Sequence, residues 1–162
     1  MNAEGRIPKV SQYGSVDPAP PSRETVVAEL TERLCDESLP MFQRMRAVFG
    51  LRNQRTDDAC LALCQGFSSG SALLRHEIAY VLGQMQNVAA LPTLIERLED
   101  ANEHVMVRHE AAEAMGAIGD RSVIPLLEKF SQDPLPEVAE SCLVALDLLA
   151  WVDGAEFDDT EC

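Results

Sequence analysis

Aromatic residues are scarce in this 162-residue chain, at 5%, with a single tryptophan among them. Sheets draw heavily on β-branched and aromatic side chains, whereas the Ala and Leu that abound here pack well as helices, so the balance favours an all-α fold. Basic residues are also few: 13 Lys and Arg stand against 27 Asp and Glu, for a formal net charge of -14 and a pI near 4.5. Nucleic acid and anionic membranes are gripped by clustered Lys and Arg, so neither is an expected partner, and a basic or polyamine-like one is. No apolar run nears the roughly 20 residues that a bilayer-crossing helix needs, and the N-terminal residues lack the apolar centre of a signal peptide. The five cysteines, Cys35, Cys60, Cys64, Cys142 and Cys162, are odd in number and lack the spacing of a small secreted scaffold, which points to a reducing cytoplasm. Cys60 and Cys64, four apart on an expected helix, are expected to be small apolar residues on one face rather than a metal pair.

The length suits one compact domain. Residues 1–23 carry Gly5, Pro8, Gly14, Pro18, Pro20 and Pro21 with little apolar periodicity, and are expected to form an extended or disordered leader or linker. Residues 24–152 hold the folded domain, and 153–162 an acidic tail. Inside the domain the sequence repeats with an offset of 33: Arg75, His76, Glu77, Ala79, Gly83, Pro92, Leu94 and Asp100 fall on Arg108, His109, Glu110, Ala112, Gly116, Pro125, Leu127 and Asp133. Weaker copies flank this pair, around FQRMRAVFGLRNQ and EVAESCLVALDLL, with Arg44-Met45 and Glu140-Ser141 at about the phase of the two His-Glu pairs. A fixed period of this size with two helical patterns per unit is the signature of an α-solenoid, here of about four helical hairpins.

Leu74, Ile78, Val81, Leu82 and Met85 recur at helical spacing as a core stripe, with Ser71 a candidate N-cap, and His76 lies away from that stripe. Ala79 and Gly83 follow His76 at helical steps, as Ala112 and Gly116 follow His109, so each histidine heads a row of small side chains. A glycine inside a helix costs about 1 kcal/mol relative to alanine, and its return at one phase means that a neighbouring helix or a ligand approaches closely. Equivalent helices of stacked repeats lie roughly 8–10 Å apart, which lets His76 and His109 share an ion. A carboxylate from either adjacent glutamate completes a two-His, one-carboxylate set with open positions, suited to non-haem Fe(II) chemistry and also to catalytic zinc. The H-E-x-x-H pattern of zinc hydrolases is absent. A metal-free solenoid that binds a protein partner through its concave face is the alternative from a different class. His104 is out of phase with both pairs and is expected at the surface near a helix start.

The stretches GSALLRHEIAYVLGQMQ and VMVRHEAAEAMGAIG, together with SVDPAPP at Ser15 to Pro21, DESLPMFQRMRAVFGLRN at Asp36 to Asn53 and ESCLVALD at Glu140 to Asp147, resemble the deoxyhypusine hydroxylase family of HEAT-repeat di-iron monooxygenases. The resemblance implies a HEAT-type solenoid and an iron-dependent enzyme. Its substrate would be the deoxyhypusine side chain of a translation initiation factor precursor, hydroxylated with molecular oxygen to hypusine. By position, His76, His109 and Glu110 match the family's iron ligands, and Glu77 matches a carboxylate associated with substrate binding. Members of the family resemble two four-repeat halves with four His-Glu pairs facing each other across a di-iron centre. This chain carries two pairs and resembles the C-terminal half, the SVDPAPP segment resembling the linker ahead of it. A homodimer or a separate N-terminal half is the implied means of completing the centre.

Overall fold

A computed structural model describes residues 8–154; the outermost residues of the leader, most of the acidic tail and Cys162 lie outside the described residues. Within them the chain forms eight α-helices and no extended sheet, only one isolated bridge between Val10 and Val16. The helices are α1 (Val27–Cys35), α2 (Met41–Gln54), α3 (Asp57–Gln65), α4 (Ala72–Met85), α5 (Leu91–Glu99), α6 (Val105–Ile118), α7 (Ile124–Phe130) and α8 (Pro136–Val152). Consecutive pairs make four hairpins, and α2, α4, α6 and α8 lie side by side in one row, as expected of an all-α solenoid.

Local chemistry starts and stops each helix. Ser71 accepts a hydrogen bond from the Leu74 amide and caps α4, while His104 caps α6 by accepting the Met106 amide at Nδ1, 3.2 Å away. Pro92 and Pro125 open α5 and α7, where a missing amide costs nothing. The inner helices α2, α4 and α6 each end on a left-handed residue, Arg55, Gln86 and Gly119. Leu74, Ile78, Val81 and Leu82 are buried in the core, and Met85 packs partly buried against it. Cys60 is a buried core residue, and Cys64 packs partly buried beside it.

The arginine ahead of each His-Glu pair belongs to the scaffold. Arg108 Nε donates to the Leu98 carbonyl at 3.0 Å, and Arg44 Nε to the Leu34 carbonyl at 2.9 Å. Both carbonyls end an outer helix and have no acceptor role inside it, so the guanidinium satisfies them. The same arginines reach acidic partners on the connections, Arg108 to Asp133 at 2.6 Å and Arg44 to Glu37 at 3.0 Å. Arg75 pairs with Glu103 at 2.7 Å. Arg44, Arg75 and Arg108 therefore hold one register. In α2 the residues at the His-Glu positions are Met45-Arg46, one step later than the Arg44-Met45 expected from sequence. The repeat there is 31 residues rather than 33, which sequence comparison with a weak copy did not resolve.

Residues 8–23 lie against α2. Arg52, fully buried, binds the Asp17 carboxylate with two bonds of 2.9 and 2.7 Å, and the Tyr13 ring stacks 4.5 Å from its guanidinium. Arg46 Nε donates to the Pro20 carbonyl at 3.1 Å.

The glycines at Gly83 and Gly116 serve helix packing. A Cβ on Gly83 would stand 3.1 Å from Ala114 Cα, and one on Gly116 would stand 2.8 Å from Ala145 Cβ and 2.9 Å from its Cα. Overpacking costs about 1–3 kcal/mol, offset by about 1 kcal/mol gained when a helical glycine becomes alanine. Gly116→Ala should therefore lose about 1–2 kcal/mol of unfolding free energy in urea, and Gly83→Ala should be close to neutral. The reverse order would contradict this packing.

Candidate metal centre

His76 and His109 occupy the fifth positions of α4 and α6, two helices of 14 residues whose starts are fixed by the Ser71 and His104 caps. Close stacking of the two helices brings the rings to a centroid separation of 5.6 Å, tilted by 43°. Glu110 follows His109 by one residue and turns toward α4, where its Oε2 lies 3.1 Å from His76 Nε2. One ligand atom from each of His76, His109 and Glu110 falls within 4.8 Å of the others. Donors bound to one ion at about 2.1 Å and at right angles are about 3.0 Å apart, so the spacing of His76 and Glu110 suits adjacent positions around a metal. Two imidazoles and one carboxylate also leave other positions open. The residues present thus fit a metal ion.

The electrostatics agree with a site built for positive charge. The hydrogen bond to Glu110 raises the His76 pKa above the ordinary histidine range, against the opposing pull of burial, and Glu77 and Glu113 add to the rise. His76 Nδ1 is buried and has no hydrogen-bond partner among the described residues. Glu77 stands outside the group of three. Burial raises its carboxyl pKa; the His76 charge opposes this, the Glu110 charge adds to it, and the Asp17–Arg52 pair lies near enough to act on it with both signs.

Two neighbours escaped the sequence reading. Glu113 Oε1 lies 3.4 Å from His109 Nδ1, and the Ser141 hydroxyl of α8 donates to the same Oε1 at 2.8 Å while standing 3.4 Å from Nδ1. Glu113 follows His109 by one helical turn, a signal available from spacing, but α4 carries Tyr80 at the matching place and the repeat gave it no emphasis. Ser141 reaches His109 across the α6–α8 contact as Glu110 reaches His76 across the α4–α6 contact. A cleft of about 510 Å³ opens beside the group, lined by Glu110 and Glu113 together with the apolar Ala114, Val144 and Leu148.

A proton and a metal ion compete for His76. Glu110→Gln should bring the His76 pKa down toward the ordinary histidine value, and Glu77→Gln should lower it less, as read by NMR titration of the ring in metal-free protein. Because the folded pKa is raised, the pair stabilises the fold fully below the unfolded histidine value, and that contribution is lost as pH rises through the folded one. A larger drop in Glu77→Gln than in Glu110→Gln would contradict the assignment of Glu110 as the dominant partner.

Known proteins share this fold and much of this sequence. A family model described as HEAT repeats matches residues 61–147. The deoxyhypusine hydroxylase of Danio rerio is 50% identical over 145 residues, covering 90% of this chain and 48% of that protein, and the Homo sapiens enzyme is 48% identical over 157 residues, covering 97% and 52%. A solved structure of human deoxyhypusine hydroxylase in complex with glycerol superposes with a TM-score of 0.86 at 50% identity, over 90% of this chain and 50% of that one. The phycocyanin lyase complex of Nostoc, at 24% identity and a TM-score of 0.60 over 77% of this chain, shares the fold alone. The chain spans about half the length of the curated relatives it matches. By the HEAT-repeat match over more than half its residues, the chain belongs to the HEAT-repeat family, and within it resembles deoxyhypusine hydroxylase in sequence and structure over half that enzyme's length.

Proposed function

We propose that this chain supplies one metal-binding face of a deoxyhypusine hydroxylase, corresponding to the C-terminal half of that enzyme and working in the cytoplasm. The observation that carries the proposal is the convergence of His76, His109 and Glu110 donor atoms within 4.8 Å, in a chain about half identical to named hydroxylases. These three residues would hold Fe(II). When bound, iron supplies oxygen activation, so that one atom of O2 enters a substrate C–H bond as hydroxyl and the other leaves as water, with two electrons and two protons from a donor.

The chain's own residues serve the rest. The deoxyhypusine side chain of a translation initiation factor precursor is a long cation, and a charge-assisted hydrogen bond to a carboxylate would anchor its amine. Glu77 suits this role because it is half-buried beside the three grouped residues and burial raises its pKa, a desolvation cost that a cationic amine would offset. The cleft beyond Glu110 offers the methylenes an apolar wall at Ala114, Val144 and Leu148. A net charge of -14 draws a cationic ligand toward the surface. Among the described residues no helix is long and apolar enough to cross a membrane. A di-iron centre takes two opposed faces, and one set of His76, His109 and Glu110 provides one. A second copy about a two-fold axis, a separate half, or further sequence of a longer protein would provide the other.

Protein prepared under reducing, iron-replete conditions should carry close to one iron per chain by elemental analysis. His76→Ala and Glu110→Ala should lose most of it with the fold intact, since the α2 and α8 repeats pack without histidine at this phase. Glu77→Ala should keep its iron and bind the deoxyhypusine-bearing precursor more weakly. Folded protein that stays metal-free, with His76→Ala unchanged, would turn the assignment to a partner-binding scaffold. Hydroxylation should appear when the second face is present, and light scattering of the chain alone and mixed with an N-terminal half identifies which source provides it. A strict monomer that hydroxylates at full rate with one iron would refute the need for two faces.

A further inference from the structure

Among the described residues, the polar side-chain atoms that face His109 Nδ1 are both oxygens. Glu113 Oε1 is 3.4 Å away on the same helix, and the Ser141 Oγ of α8 is also 3.4 Å away. The Ser141 hydroxyl proton is already committed, because Ser141 donates to Glu113 Oε1 at 2.8 Å. An ionised carboxylate only accepts, and a hydroxyl whose proton is used elsewhere offers lone pairs alone. Nδ1 therefore has two acceptors to meet and no donor, and the arrangement is satisfied only when Nδ1 carries the proton. A neutral imidazole protonated at Nδ1 keeps its lone pair at Nε2, the other ring nitrogen. His76 is treated differently: its Nε2 meets Glu110 at 3.1 Å and its Nδ1 has no partner among the described residues.

We propose that Glu113 and Ser141 are positioning residues that fix His109 in the Nδ1–H form and turn its Nε2 lone pair toward the metal. The fourth hairpin, which has no His-Glu pair, would in this way take part in the site through Ser141. The position supports this: Ser141 sits against His109 of the preceding hairpin as Glu110 sits against His76, with a hydroxyl in place of a carboxylate. A partner of this kind orients a histidine ligand and raises its basicity, and its loss typically costs 10–100-fold in metal affinity. Glu113 is not one of the three grouped donors, so its role at the ion runs through His109.

The inference rests on the metal reading only for its second readout, and the test keeps the two apart. Nitrogen-15 NMR of the metal-free chain, at alkaline pH where imidazole is neutral, reads the tautomer of each histidine directly. His109 should be protonated at Nδ1 in the unaltered chain. In Glu113→Gln combined with Ser141→Ala the population should move toward the Nε2–H form, and Ser141→Thr, which keeps a hydroxyl, should restore the original state. Thermal unfolding of Glu113→Gln alone should stay close to that of the unaltered chain, since the Glu113 side chain is 43% exposed, whereas Ser141 is buried and Ser141→Ala gives up its hydrogen bond. Titration with Co(II), followed by its visible absorption, should show affinity falling 10–100-fold in Glu113→Gln with Ser141→Ala and recovering in Ser141→Thr. An Nε2–H tautomer in the unaltered chain, or an unmoved tautomer and affinity in the double variant, would overturn the proposal. A shifted tautomer in a chain that never binds Co(II) would uphold the orienting role of Glu113 and Ser141 while overturning the metal assignment.

Discussion

Side chains from two helices can meet at one ion only where those helices lie close together and in register, and in this chain Gly83 against Ala114 sets the closeness of α4 and α6, as Gly116 against Ala145 does for α6 and α8. With a hydrogen in place of a methyl group, Gly83 lets the backbone of α6 approach α4, and Gly116 does the same for α8 against α6. Larger residues at Gly83 or Ala114 would spread α4 from α6 and separate His76 from Glu110, which now stand 3.1 Å apart. The cost of two mid-helix glycines, about 1 kcal/mol each in propensity, is the thermodynamic counterpart of that approach. The site is thus a consequence of packing before it is a consequence of ligand chemistry.

The motif Arg-His-Glu divides its labour between scaffold and site. Its arginine bonds a backbone carbonyl ahead of the inner helix and an acidic residue on a connection: Arg108 takes the Leu98 carbonyl and Asp133, and Arg75 the Ser69 carbonyl and Glu103. Those bonds fix the rotation of the inner helix, and the next two residues then project from one defined face. In α2 the arginine persists without the pair, so Arg44 makes the same bonds ahead of Met45 and Arg46. Fold and function can therefore change independently along the solenoid, because adjacent residues of one motif serve different ends. The buried Asp17–Arg52 pair adds a third element, tying residues 8–23 to α2 beside Glu77.

Much of this was legible in the sequence because it is periodic. The 33-residue offset, the core stripe from Leu74 to Leu82, the Ser71 cap and the small residues below each histidine all depend on helical spacing, which sequence carries openly. The choice between a helix and a ligand as the neighbour of Gly83 and Gly116 was not legible, since both demand a small residue; the neighbour is a helix. The register of α2 was misjudged by one residue because a weak copy separated by 31 residues lacks the His-Glu landmark. Glu113 and Ser141 were missed for another reason. Their partnership with His109 crosses from α6 to α8, and no local pattern records which hydroxyl meets which ring. Asp17 likewise pairs with Arg52 across 35 residues of chain, a contact fixed by the fold.

Crystals of the chain loaded with Fe(II) under anaerobic conditions, measured on both sides of the iron absorption edge, locate the ion without reference to activity or partner. The account predicts one anomalous peak in contact with Nε2 of His76, Nε2 of His109 and the Glu110 carboxylate, with Glu77 outside bonding distance. A peak at Cys60 and Cys64 or on the acidic surface, with the three named residues still bonded to one another, would contradict it.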